Sequence, residues 1–345
     1  MLDFFTRLNN APRNWSGTKA ELSVDEFGAY SSDSIRRQYL ADPHNAGRSF
    51  IRLSALGKPA VETAIKHPDV KAELLTWGFH NDPFDETMLL TFALGDWFEN
   101  WVGFQLRRLG YHIETCVECS TDGQHMVEFE GVKGHLDFIV NDPETNERFV
   151  LEVKTMSTNY FQQFFDVKYN ESDMFILRPG AAGDDERGYM TQLATYMHHT
   201  GLPGYWIALD KGTRKLAVGS PCSEDVDRAL ARGRRIIPIL NGIEKLEDVF
   251  TRLRPPPGVP EVYKRQLTGR LKLPSTMAYS PVKNVFYKIT EAKNGYGKLT
   301  EYVGKFDIEE YISQLEDPSS NVDGWLMAHT KRLTYGEAKT KYLVK

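Results

Sequence analysis

The chain has 345 residues, 41% of them hydrophobic and 26% charged, with three cysteines and a formal net charge of −5. That balance is ordinary for a globular chain and excludes a low-complexity or collagen-like protein, and three cysteines are too few for a secreted, disulfide-stapled scaffold. No apolar run approaches the ~18 residues that cross a bilayer, the amino terminus lacks a charged-then-apolar export pattern, and a soluble cytoplasmic protein is expected without membrane attachment. The acidic balance argues against a protein that coats DNA, while leaving room for a site whose own carboxylates bind metal.

Residues 1–85 read as mixed polar and helical, broken at His67-Pro68 and Asp82-Pro83. Residues 86–109 (ETMLLTFALGDWFENWVGFQLRRL) place Leu90, Leu94, Trp97, Trp101 and Phe104 at helical spacing, which predicts an amphipathic helix with those residues on its apolar stripe. Gly95 and Glu99 stand four apart on one face of it, which would let a backbone approach at the glycine beside the carboxylate. Glu99 on such a helix also fits a plain solvent-facing side.

Cys116 and Cys119 form a Cys-x-x-Cys pair and Cys222 stands alone. A zinc or cluster site wants four ligands, so His112 or His135 would have to complete one, and free thiols in a reducing compartment are the expectation.

Residues 134–140 (GHLDFIV) and 148–155 (RFVLEVKT) are rich in β-branched and aromatic residues around the turn formers Asn141 to Asn146, which predicts a β-hairpin. Side chains alternate on a strand, so Phe149, Leu151 and Val153 should face the core while Glu152 and Lys154 share the other side with Asp137. Two carboxylates and an ammonium at that spacing suit a Mg²⁺-type ion, which takes few protein carboxylates and leaves room for water and a substrate phosphate. Alone, these short stretches also match an ordinary exposed face with cross-strand ion pairs.

Thr158 to Phe165 mixes rings with amides, a blend suited either to stacking on unpaired bases or to core packing. An acidic Gly-rich loop spans 178–188, where a gate for substrate would sit. In 188–200 (GYMTQLATYMHHT) Gln192 and Tyr196 share a helical face, offering an amide and a phenol to phosphate oxygens or bases, or forming a plain surface pair. Residues 204–211 (GYWIALDK) read as a strand. Arg228, Arg232, Arg234 and Arg235, and further on Arg252, Arg254, Lys264, Arg265, Arg270 and Lys272 around Pro255-Pro256-Pro257, are candidates to line a DNA groove or solvated helix faces. The last ~55 residues alternate charged and aromatic residues without a motif.

In order, Gly95 to Glu99, Gly134 to Asp137, Glu152 to Lys154 and Gln192 to Tyr196 resemble the four motifs of the RecB-like branch of the PD-(D/E)xK nuclease superfamily, especially its bacteriophage exonucleases and CRISPR-associated nucleases. Each motif is weak alone; four in register are specific. The resemblance spans roughly residues 30–290 and takes in Tyr30 to Tyr39, similar to that family's Ser-then-Arg helix opening, with Arg36 and Arg37 as substrate contacts. It implies an α/β fold: a restriction-endonuclease-like core with a central mixed β-sheet flanked by helices in 86–222, a helical N-terminal region 1–85, and a C-terminal region 223–345 packed on the core. It further implies a Mg²⁺- or Mn²⁺-dependent deoxyribonuclease, in particular an exonuclease processing DNA ends, with a structure-specific endonuclease or a non-catalytic DNA-binding scaffold as alternatives. Asp137, Glu152 and the Val153 carbonyl would bind metal, aided by Glu99; Lys154 would act on the attacking water; Gln192 and Tyr196 would hold the strand. DNA is the expected partner, with a single-strand-binding or recombination protein as a further one. Many members carry an iron–sulfur cluster near a Leu-Pro; after Leu273-Pro274 this chain has Met277, Ser280 and Phe286 where three cysteines belong, so no cluster is expected.

Overall fold

Short apolar runs between positions 111 and 219 alternate with turn formers, and in the computed structural model they become the strands of one mixed sheet. The structure describes residue 29 and residues 50–78, 86–116, 124–166, 176–177, 187–253, 259–263, 266–272, 308–317, 319–320 and 335–342. In chain order a 3-10 turn (Leu53–Ala55) precedes α1 (Ala60–Ala64), α2 (Pro68–Thr76), α3 (Glu86–Arg108), β1 (His112–Glu114), β2 (His125–Phe129), β3 (Val132–Leu136), β4 (Phe138–Asn141) and β5 (Arg148–Met156). There follow α4 (Thr158–Phe164), β6 (Phe165–Asp166), β7 (Ile176–Leu177), α5 (Tyr189–Thr200), β8 (Gly204–Asp210), β9 (Leu216–Gly219), α6 (Ser223–Asn241) and α7 (Leu246–Arg252). The last are β10 (Val259–Tyr263), β11 (Gln266–Lys272), α8 (Ile308–Glu316) and α9 (Tyr335–Tyr342).

The chain forms two compact units, Met1–Gly57 with Phe84–Arg234, and Lys58–Pro83 with Arg235–Lys345. The second unit thus joins an internal segment, Lys58–Pro83, to the carboxyl-terminal part of the chain. Within it Trp77, just past α2, lies with its ring centroid 6.4 Å from Phe250 of α7 and 6.0 Å from Tyr335 of α9. Tyr335 donates its hydroxyl to Glu73 at 2.6 Å.

The first unit holds the five-stranded sheet, in the order β1-β4-β5-β8-β9. β4 and β5 form the expected hairpin, antiparallel, closed by a bond from the Asp142 N–H to the Glu147 carbonyl and by Asn146 at φ 57°. β8 runs parallel to β5, which needs a crossover, and α4 and α5 supply it. Phe149, Leu151 and Val153 pack with Phe138, Val140, Ile207 and Val218 against Phe98, Val102 and Leu106 of α3. Each such buried side chain contributes roughly 1.5–3 kcal/mol. Opposite, Phe164 of α4 meets the fully buried Trp206 edge-on at 5.3 Å.

Two expectations need correction. The apolar stripe of α3 is Phe98, Val102 and Leu106, with Trp101 stacked on Phe98; Leu90, Leu94 and Trp97 are exposed. Apolar residues lie on several sides of this helix, so spacing alone selected the wrong row. Residues 134–140 are not one strand either: β3 pairs with β2, β4 with β5, and the chain bends at Asp137. The β2–β3 turn at Glu130 and Gly131, both at positive φ, is the two-residue geometry that favours glycine. The rings of Tyr160, Phe161, Phe164 and Phe165 are buried, so that segment packs the core. No helix among the described residues is long and apolar enough to cross a membrane.

Gly134 owes its place to packing. A Cβ there would lie 2.9 Å from the Cβ of Leu53, which is fully buried. Gly134→Ala should therefore lower unfolding free energy by about 1–3 kcal/mol, read by urea denaturation. An unchanged midpoint would show that the Leu53 turn yields without cost.

Candidate metal centre

The site is built where one strand outruns its neighbour. The Val150 N–H donates to the Pro203 carbonyl, and the Met156 carbonyl accepts from Lys211, each at 2.9 Å. Even-numbered positions of β5 therefore direct their backbone toward β8, and Val153 faces the other edge. There β4 ends, its last pair being Phe138 with Leu151. Asp137, at the bend, fills the gap: its Oδ2 accepts the Val153 N–H at 2.7 Å. The Val153 carbonyl points to the same edge, so the notch offers a carboxylate and a carbonyl oxygen side by side.

Glu152 is fully buried, on the side of β5 away from the α3 core. Its Oε1 is ion-paired with the Lys154 ammonium, which also lies 5.3 Å from the centroid of the Tyr189 ring. Its Oε2 is buried with no hydrogen-bond partner. From α3, Glu99 Oε1 accepts from Gln124 Nε2 at 3.2 Å.

These groups feel one another's charge. Burial pushes the Glu99 carboxyl well above the ordinary range, and Asp137, Glu152 and Asp96 push it further against the pull of Lys154. Burial also raises Asp137, opposed by Lys154 and the Val153 N–H. Glu152 is pushed up to about 8, by burial first and by Asp137 next, with Lys154 opposing. For Lys154, burial favours loss of the proton, but Glu152, Asp137 and Tyr189 outweigh it and hold the ammonium charged.

Three carboxyls thus share one ammonium, and a buried carboxylate oxygen is left without a donor, a combination that a hard divalent cation satisfies. Among the described residues no three His, Cys, Asp or Glu side chains close a cage unaided. A Mg²⁺-type ion does not need one, since two carboxylates, a carbonyl and water suffice.

Asp137 thus meets Val153 and Glu152 meets Lys154, while Glu99 is bonded to Gln124 and feels the charges of Asp137, Glu152 and Lys154. Gln192 and Tyr196 share a face of α5 as expected, but both are buried and committed internally: Gln192 Nε2 donates to Tyr196 Oη at 3.0 Å, and Tyr196 donates to the His135 carbonyl at 2.7 Å. They tie α5 to β3 two residues before Asp137 instead of offering free groups to a strand. Gly95 permits no closer backbone approach than alanine would, since a Cβ there meets Thr155 Oγ1 at 3.9 Å. Arg228 pairs with Asp225 and Arg234 with Glu130, so these arginines do not form an open basic surface. Cys116 is disulfide-bonded, contrary to the expected free thiol, and Cys222 is free and exposed. Arg36, Arg37, Cys119, the Leu273-Pro274 segment and the loop residues 178–186 lie outside the described residues. Sequence reasoning missed Gln124, for which there was no signal, and Tyr189, which its place at the opening of the Gln/Tyr helix would have flagged.

The fold and site define a mixed α/β protein whose central mixed sheet is flanked by helices and notched by carboxylates. No protein-family model matches the chain, and no curated protein matches it. One solved structure, described as "Crystal structure of SSO0001", aligns with 64% of this chain and 88% of its own at 13% identity and a TM-score of 0.32.

Two measurements probe this arrangement. Glu99, Asp137 and Glu152 have folded-state pKa values above their unfolded ones, so their contribution is fully present below the unfolded carboxylate range and is lost as pH rises. In EDTA the unfolding free energy should fall from pH 4.5 to about 8, and Glu152→Gln should flatten the decline; parallel curves for the two proteins would contradict the buried acid. Separately, Tyr196→Phe should cost about 1–3 kcal/mol, the penalty for leaving buried hydrogen-bonding groups unsatisfied, whereas a solvent-facing phenol would be neutral in the same melt.

Proposed function

We propose that this chain is a Mg²⁺- or Mn²⁺-dependent deoxyribonuclease, in particular an exonuclease that hydrolyses phosphodiester bonds from DNA ends, as in phage-type replication or recombination. One observation carries the reading: Glu152 is fully buried, shares its charge with Lys154, and keeps an unpartnered carboxylate oxygen beside Asp137. A structural ion pair would satisfy both oxygens; a ligand set leaves one open. The order of the four sequence motifs supports the same class.

Asp137, Glu152 and the Val153 carbonyl would hold the ion, with Glu99 directly or through water. When bound, it supplies an acidified water and neutralises charge developing on phosphorus. Lys154 stays protonated beside Glu152 and Asp137, so it serves as a hydrogen-bond donor and fixed positive charge toward the attacking water and the phosphate, not as a base. Its position is set by the Glu152 pair and the Tyr189 ring, which limit the freedom of a long side chain. Gln192 and Tyr196 act as positioning residues, holding β3 and α5 together behind Asp137. A single-strand-binding or recombination protein would be the natural companion of such an activity.

Incubating end-labelled linear DNA and circular single strands with and without Mg²⁺ or Mn²⁺ tests the reading. Metal-dependent loss of linear DNA with circles spared is expected of an exonuclease, and cutting of circles would assign an endonuclease. Lys154→Ala should lower the rate by ~10²-fold or more while the protein remains folded by circular dichroism. Full activity in that variant, or no metal-dependent hydrolysis by the wild type, would remove the proposal.

A further inference from the structure

Three arginines of the sheet unit have acidic partners. Arg148 binds Glu114 through two bonds of 2.6 and 2.7 Å, and Arg228 and Arg234 are paired as described. Arg187 is different. It immediately precedes Gly188, the left-handed residue that opens α5, and its Nε is buried with no hydrogen-bond partner. Its guanidinium carbon lies 4.4 Å from the centroid of the Tyr160 ring. That contact fixes the plane of the fork and leaves the Nε donor uncommitted.

Lys211 follows the last residue of β8 and donates its N–H to Met156, the last residue of β5. Its side chain is exposed and starts at the carboxyl ends of two parallel strands, the edge where open α/β sheets bind ligands. The next residue, Gly212, packs so closely on Thr158 that a Cβ would lie 2.2 Å from its Oγ1, two residues before the Tyr160 that carries Arg187. Partial desolvation of the ammonium, followed by the Arg187 charge, presses the Lys211 pKa below the ordinary lysine value. Neither has an ion pair with a carboxylate among the described residues. The amino end of α5, twelve residues long, has no side-chain cap there. Two cations with no carboxylate partner among the described residues are an arrangement that an anion completes.

The cations also adjoin the carboxylate notch. Tyr160 packs edge-on against Tyr189 at 5.8 Å, and Tyr189 is the ring beside the Lys154 ammonium. Lys154, Tyr189, Tyr160 and Arg187 are thus successive neighbours.

We propose that Arg187 and Lys211 form a second phosphate subsite, taking the phosphate of a DNA strand adjacent to the one held at Lys154; the identity of the ligand rests on the nuclease reading above. An internal phosphodiester and a terminal 5′-phosphate offer the same oxygens, and Arg187 presents the planar fork that binds them.

The test is binding of fluorescent oligothymidylate, with and without a 5′-phosphate, by full-length protein in EDTA across a salt series. Arg187→Gln/Lys211→Gln should weaken binding about tenfold or more and reduce the magnitude of the salt slope by roughly 1.4, about 0.7 per lost contact on a single strand. Lys211→Gln alone, at an exposed position where folding is not at risk, should give about half that change in slope. Loss confined to the phosphorylated oligomer assigns the subsite to strand ends, and equal loss assigns it to internal phosphodiesters. Wild-type binding with unchanged affinity and slope in the folded variants would overturn the subsite and leave the nuclease reading standing. If the wild type binds no oligomer, pyrophosphate decides: thermal protection of the wild type but not of the double variant keeps the anion site and removes the nuclease reading, and protection of neither overturns the subsite.

Discussion

The backbone N–H of Val153 has lost its strand partner, and Asp137 replaces it. On that substitution of a carboxylate for a carbonyl the rest of the site depends. Had β4 continued in register, a residue of the antiparallel ladder would have closed the edge of β5 and sealed the notch with paired backbone. Because the chain bends at Asp137, β5 is left with an unpaired edge, which a carboxylate on a short side chain can fill while keeping an oxygen to spare. Glu152, next along the strand and on the opposite side from the α3 core, then finds itself buried beside a second negative charge.

Such a cluster is costly to fold, and the surroundings show how the cost is contained. Lys154 neutralises one carboxylate and is itself confined by the Tyr189 ring. The layer behind is set by close packing: a Cβ on Gly57 would fall 2.3 Å from the Gly188 Cα, so the amino end of α5 rests directly on the chain before α1. α5 is fixed at that end by backbone contact and further along by the Tyr196 bond to His135. The first anchor sets α5 on the segment before α1, and the second holds it against the ribbon that delivers Asp137. Stability is spent locally and recovered in the apolar layers on both faces of the sheet.

Much of this was legible in the sequence, for identifiable reasons. The helix from Tyr189 to Thr200 and the hairpin around Asp142 to Glu147 carry periodicity or turn chemistry and stand where those signals put them, and the long helix ending at Arg108 has the expected span although not the expected buried face. The alternation along β5 correctly separated Phe149, Leu151 and Val153 from Glu152 and Lys154. What was not legible depended on distant contacts. The bend at Asp137 follows from β3 pairing with β2 instead of extending β4, a choice made by tertiary packing against α5 and the Leu53 turn. The burial of Gln192 and Tyr196 depends on what lies over α5, and the pairing of Arg228 and Arg234 depends on acids that spacing does not advertise. The two-unit division joins residues near position 77 to residues near 250 and 335 through three rings, which no local pattern announces.

The distribution of charge explains how an acidic chain can suit a polyanionic substrate. Surface arginines that are paired with carboxylates contribute little field at a distance, because screening over about 8–10 Å cancels what the pair does not. A net charge of −5 is therefore compatible with strand binding provided the uncompensated cations sit where a phosphate must lie. Lys154 cannot fill that role alone, being committed to Glu152. Among the described residues Arg187 and Lys211 have no such partner; Arg187 lies over the Tyr160 ring, and Lys211 follows β8 at the carboxyl ends of β5 and β8. A substrate held there would be attracted over a few ångströms only, so recognition would fall to contact geometry and not to long-range steering.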